Sequence, residues 1–201
     1  LDKIRVKDSR LEEAYQRVAF FRGLELFKNM EIDESINMFN KSLSYGKYNS
    51  SLMARAIYWR GEAEYRSGAY DAARDDFETF LGMPGASRYE EYSLARYNLA
   101  YSLFNMQDYS GALTHFRSFE SGAANGRPEI LADTKIRIAD CYFITTNYPM
   151  AISYYDKVIE NGKTDADYAM YQKGFCLGLS NNHKGKVDIL TSLISRYPNS
   201  S

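Results

Sequence analysis

The stretch Tyr70-Asp71-Ala72-Ala73-Arg74-Asp75-Asp76-Phe77 decides the fold, because its skeleton returns along the chain. After a short break comes an aromatic or apolar residue, then a small residue three positions on, then a large apolar residue four further. Tyr70, Ala73 and Phe77 are repeated as Tyr109, Ala112 and Phe116 and again as Tyr148, Ala151 and Tyr155, with steps of 39 residues. A degenerate copy, Ile32, Ser35 and Phe39, lies 38 residues upstream, and another, His183, Lys186 and Leu190, lies 35 residues downstream. A recurring period in the range of roughly 20–50 residues marks a stacked-repeat architecture.

Each copy holds two helical patterns. In the second copy Ile57, Gly61, Glu64 and Tyr65 form one group, and Ala73, Phe77, Phe80 and Leu81 form another. Both fall at i, i+4, i+7 and i+8, the spacing of one helix face. Short breaks separate the paired helices at Ser67-Gly68-Ala69, Met106-Gln107-Asp108, Thr146-Asn147 and Asn181-Asn182. Gly or Pro marks the breaks between copies, at Gly46, Gly82 to Gly85, Gly122 to Pro128 and Asn161-Gly162. Glycine is favoured just past a helix, and proline is tolerated in a first turn, where Pro128 and Pro149 fall. No segment sustains period-2 alternation, so no sheet is expected. The pattern predicts ten helices near 9–28, 31–45, 51–67, 70–82, 88–105, 108–122, 128–145, 148–161, 165–180 and 183–197.

Composition agrees with a packed globular chain. Of 201 residues, 45% are apolar and 25% charged, which excludes a disordered or collagen-like chain. The 25 Lys and Arg against 26 Asp and Glu leave a net charge of −1, without a run of one sign to grip nucleic acid or an anionic membrane. No apolar stretch approaches the roughly 20 residues needed to span a bilayer. Leu1 is not Met and no signal-like region precedes the first pattern, so the chain is expected to be a processed or excised piece of something longer. The aromatic content is lopsided: 18 Tyr and 11 Phe against one Trp.

These residues carry a family resemblance. The chain resembles the tetratricopeptide repeat family, whose unit is a helix pair of about 34 residues with small residues at the helix crossings. The matching small residues are Gly23, Gly61, Ala100, Ala139 and Gly174 in the first helices and Ala73, Ala112 and Ala151 in the second. Ser35 and Lys186 depart from that pattern, and the loops after the second and third copies are longer than the family's. The resemblance implies an all-α solenoid of about five antiparallel helix pairs in a right-handed superhelix. Repeats are expected at about 11–46, 50–85, 88–124, 127–162 and 165–199, with 1–10 a linker or the end of a preceding element. The ending Ser195-Arg196-Tyr197-Pro198-Asn199-Ser200 is similar to the repeat junction of bacterial cell-envelope members, which implies a periplasmic or envelope location.

Catalytic and metal chemistry find little footing. Gly162-Lys163-Thr164 resembles the end of a phosphate-binding loop, but Lys157 stands where that loop needs a second glycine, and no strand precedes it. His115 and His183 have no partner at metal-ligand spacing, and His183 holds the position of Tyr70, Tyr109 and Tyr148, which predicts a packing role. Cys141 and Cys176 lie 35 residues apart at the position of Ala63 and Ser102, so both are expected to be buried, unbonded thiols in a small-residue slot. Glu12-Glu13, Asp75-Asp76 and Glu90-Glu91 are adjacent carboxylates, which do not face one another on a helix and read as solvated faces. No enzyme, cofactor or metal is expected.

What remains is an interaction surface. The resemblance implies a concave wall built from the first helix of each pair. Copy by copy, it places there Arg17, Phe20, Leu24 and Phe27, then Arg55, Tyr58, Glu62 and Tyr65, then Leu94, Tyr97, Tyr101 and Phe104. Asp133, Ile136, Asp140 and Phe143 follow, and Tyr168, Tyr171 and Phe175 complete the wall. The expected function is a non-catalytic scaffold that binds a protein or peptide, or another part of the same parent protein. The alternative is a carbohydrate-binding module in which tyrosine rings stack on sugar faces.

Overall fold

The computed structural model describes residues 9–122, 127–162 and 165–200. Ten α-helices account for most of them: α1 (Ser9–Lys28), α2 (Ile32–Leu43), α3 (Ser50–Ser67), α4 (Tyr70–Gly82), α5 (Tyr92–Asn105), α6 (Tyr109–Gly122), α7 (Pro128–Ile144), α8 (Tyr148–Asn161), α9 (Ala166–Leu179) and α10 (His183–Arg196). No strand occurs among the described residues, and the helix boundaries follow the sequence pattern closely. One departs: α5 starts at Tyr92 rather than near residue 88, after a 3-10 turn at Ala86–Arg88 that follows left-handed Gly85. The proposed linker lies largely outside the described residues, apart from Ser9 and Arg10, which belong to α1.

The chain forms two compact units, residues 1–107 and 108–201. In the first, each of the helices α1 to α5 packs on the next, and α3 also touches both α1 and α5. In the second, α6 to α10 pack successively in the same way. Each unit therefore buries its core only by stacking neighbours, as a repeat fold must.

The small residues let the helices approach. A Cβ on Gly23 would sit 2.6 Å from the Phe39 ring, and one on Gly61 would sit 3.1 Å from Phe77. Both phenylalanines are fully buried, at the large apolar position of the repeat. Phe20, Phe27, Phe39, Ala56 and Ala63 form one core cluster, with Leu24, Trp59 and Leu52 packed against it.

A second regularity lies in the turns. Met30, Gly68, Gln107, Thr146 and Asn181 all have positive φ, and each stands two residues before the second helix of its pair. In four of the turns the next residue's N–H reaches back five positions: Glu31 to Leu26, Ala69 to Glu64, Asn147 to Tyr142 and Asn182 to Leu177, at 2.8–2.9 Å. This is the Schellman closure, which satisfies carbonyls left open at a helix end.

Candidate functional site

In the first unit the wall of first helices is α1, α3 and α5. Phe20, Phe27 and Tyr58 are buried there and offer no surface, because the same face that points along the wall also packs on the next helix. Leu24, Arg55, Glu62, Tyr65, Tyr97, Tyr101 and Phe104 are half-buried and keep accessible area. A hydrogen-bonded network fixes Glu62 among them. Tyr58 Oη donates to Glu62 Oε1 at 2.8 Å, and the Asn98 amide donates both to Tyr58 Oη at 3.2 Å and to Glu62. Burial holds the Glu62 carboxyl above its usual range and raises the Tyr58 hydroxyl well above its own. Tyr65, Tyr97 and Tyr101 form a continuous aromatic patch, with centroids 6.4 Å apart for Tyr65 and Tyr101 and 4.9 Å for Tyr97 and Tyr101. Asn105 donates to Tyr65 Oη at 3.2 Å and to the Tyr101 carbonyl at 2.8 Å, tying α5 to α3. Arg66 lies 4.2 Å from the Phe27 ring centroid and Arg55 5.5 Å from that of Phe20.

In the second unit Ile136 and Asp140 are buried, Phe143 is half-buried, and Tyr168, Tyr171 and Phe175 on α9 are exposed. Asp140 accepts hydrogen bonds from Tyr155 Oη at 2.8 Å, Tyr168 Oη at 3.0 Å and Arg137 Nη1 at 2.8 Å. Burial raises its pKa, while these donors oppose the rise. Tyr168 is pushed up to about 12 by burial and the adjacent Asp140 charge.

Three sequence expectations need correction. Asp76 and Glu91 are not on solvated faces. Asp76 is buried and paired in bidentate fashion with Arg60 at 2.7 and 2.6 Å, and Glu91 is buried against Arg55 Nε at 2.7 Å. Their neighbours Asp75 and Glu90 do face solvent. Glu12 is half-buried and accepts from Tyr48 Oη. Finally, His183 is exposed and does not pack. Asn98, on α5, and Glu91, just before it, have no signal in the single sequence beyond being polar.

The remaining candidates behave as their positions imply. Ala63, Ser102, Cys141 and Cys176 are all fully buried, and both thiols are free. Burial pushes the Cys141 thiol up to about 12 and Cys176 to about 11, so both stay protonated and non-nucleophilic near neutrality. Gly162 is a left-handed residue ending α8; Lys163 and Thr164 lie outside the described residues. No helix among the described residues is long and apolar enough to cross a membrane.

Comparison with known proteins agrees with the helical repeat fold. Sequence models described as tetratricopeptide repeat match residues 22–87 and, separately, 94–121 and 168–200. No curated protein sequence matches. The fold is similar to that of YrrB, whose crystal structure is described as a TPR protein with an unusual peptide-binding site (20% identity over 90% of this chain and 86% of that one, TM-score 0.73). It is also similar to MamA from Desulfovibrio magneticus RS-1 (15% identity, 92% and 98% covered, TM-score 0.73). A third likeness is to the C-terminal part of a TPR repeat-containing protein from Cytophaga hutchinsonii (24% identity, 90% and 65% covered, TM-score 0.70). At these identities the likeness speaks for the fold.

Proposed function

Since the chain belongs to the tetratricopeptide repeat family, we propose that it is a non-catalytic protein-interaction scaffold whose α3–α5 wall holds a peptide or partner segment. The observation that carries this reading is the aromatic patch of Tyr65, Tyr97 and Tyr101. Its rings are held by one another and by Asn105, so a partner meets a surface whose ordering cost is already met. Glu62 and Asn98 beside the patch supply polar groups to orient a backbone. The similarity to YrrB supports a peptide as the ligand. Ring geometry favours a peptide over a sugar. Tyr97 and Tyr101 meet at 67°, and Tyr171 and Phe175 at 63°, so neither pair offers the coplanar platform that sugar stacking requires.

The test is selection of binders from a displayed random-peptide library on the immobilised chain, followed by hydroxyl-radical footprinting of the complex. Protection of Tyr97 and Tyr101 is expected. Protection confined to α2 and α4 would place binding elsewhere and overturn the reading.

A further inference from the structure

The α3–α5 wall holds a carboxylate that lacks what the buried carboxylates of this chain have. Asp76 is buried against Arg60, Glu91 against Arg55, and Asp140 receives Arg137 along with two tyrosine hydroxyls. Charges taken out of water are ordinarily paired in this way, because their lost hydration is otherwise uncompensated. Glu62 is half-buried in the wall, and its two hydrogen bonds come from neutral donors, Tyr58 Oη and the Asn98 amide. Among the described residues no cation stands within ion-pair distance of it.

The arginines of α3 are engaged elsewhere. Arg55 is held by Glu91 and Glu90, and Arg60 by Asp76 and Glu64. Arg66, one turn on from Glu62, lies on the Phe27 ring and donates to Met30 Sδ at 3.4 Å. Its charge favours the ionised Glu62 from a distance, without forming an ion pair.

Two further features say what completes the pairing. Both donors meet Glu62 Oε1, and Oε2 keeps contact with solvent. A bidentate guanidinium needs both oxygens of a carboxylate, whereas an ammonium is a point charge that one oxygen can hold. The approach to that oxygen is aromatic. Tyr65 stands one turn from Glu62 on α3, Tyr101 stands one turn from Asn98 on α5, and their ring planes meet at 75°. Rings set at that angle make two sides of a notch, along which an unbranched aliphatic stem can lie while its charged head reaches beyond. Aromatic faces also attract a cation directly. Lysine is the side chain that has both this stem and this head.

Resting on the reading of this wall as the partner surface, we propose that Glu62 sets its specificity: the bound segment carries a lysine whose stem lies between Tyr65 and Tyr101 and whose ammonium pairs with Glu62 Oε2. Tyr58 and Asn98 act through Glu62 as positioning residues, holding its carboxylate toward the incoming charge.

Peptides selected on the immobilised chain supply the probe. Those that protect Tyr97 and Tyr101 are expected to share a lysine at one position. One of them is synthesised with an acetylated N-terminus, which removes the terminal amine, and with lysine, methionine or arginine at the shared position. Fluorescence anisotropy reads each affinity. The methionine peptide should bind about tenfold more weakly or worse, and the arginine peptide more weakly than the lysine one. Glu62→Gln, which keeps an acceptor for Tyr58 and Asn98, should lose the same factor for the lysine peptide and nothing for the methionine peptide. Circular dichroism verifies the fold; should Glu62→Gln unfold, Glu62→Leu replaces it, taking the residue found at the equivalent position on α1, Leu24. Wall-protecting peptides that share no lysine, loss of binding on acetylation alone, an arginine peptide bound as tightly as the lysine one, or equal affinity of the lysine peptide for Glu62→Gln would each overturn the proposal and leave the wall as the partner surface. Protection confined to α2 and α4 would overturn both.

Discussion

Tyr155 Oη donates to Asp140 Oδ1 at 2.8 Å, so a fully buried hydroxyl on α8 has its partner on α7. The same oxygen receives Tyr168 from α9, and one carboxylate therefore joins three successive helices. Replacing Asp140 by Ala strands the Tyr155 hydroxyl in the core. We expect Asp140→Ala to cost about 3 kcal/mol by urea unfolding, and Tyr168→Phe about 1 kcal/mol or less, since Tyr168 is exposed.

Glycines at the crossings differ from glycines at helix ends. An Ala in an exposed helix ordinarily gains about 1 kcal/mol over Gly. At Gly23 the added methyl meets the buried Phe39 ring at 2.6 Å, so Gly23→Ala is expected to destabilise by about 1–3 kcal/mol. At Gly82 nothing lies within 4 Å, and Gly82→Ala should be neutral or stabilising. Thermal unfolding of the two variants checks the contrast.

Thr146 is β-branched yet holds φ 61° in its turn. That region is strained for a branched side chain and easier for Asn. Thr146→Asn should stabilise by about 0.5–1 kcal/mol in urea, and Gly68→Val, at φ 85°, should destabilise by more.

Glu64 is raised from 4.5 to about 7 by burial and by the neighbouring Asp76 charge, and one of its oxygens is buried without a hydrogen-bond partner. The native state holds this proton to higher pH than the unfolded chain does. Its contribution is therefore fully present below about pH 4.5 and is lost as pH rises through about 7. Glu64→Gln should stabilise by on the order of 2 kcal/mol at about pH 8, with the difference vanishing near about pH 4. Urea unfolding at both pH values reads the sign directly.

Much of this was legible in the sequence, for physical reasons. Apolar spacing and the Gly and Pro breaks mark each helix, and Gly23 and Gly61 announce the crossings. The left-handed turn is visible at Gly68 and at Asn181, residue types that favour it; Met30, Gln107 and Thr146 adopt it because the helix pairs on either side impose it. Asp76 was hidden because neighbours on a helix point about 100° apart, and Glu91 because it stands in the turn just before α5, where helix spacing does not apply. A doublet therefore does not say which member meets an arginine on another helix. For the wall, helix register gives the face but not the depth. Phe20 and Tyr58 sink into the next helix while Tyr101, one copy on from Glu62, keeps its edge accessible.

The central claim is that the aromatic wall of α3 and α5 is where a partner binds. The most direct measurement is the dissociation constant of a selected peptide for Tyr101→Ala, set against Glu78→Ala on the exposed side of α4. Central aromatic anchors typically carry more than about 1 kcal/mol. The account predicts binding at least about fivefold weaker for Tyr101→Ala, with unchanged helicity, and unaltered binding for Glu78→Ala. Equal dissociation constants for the two variants, both fully folded, would contradict it.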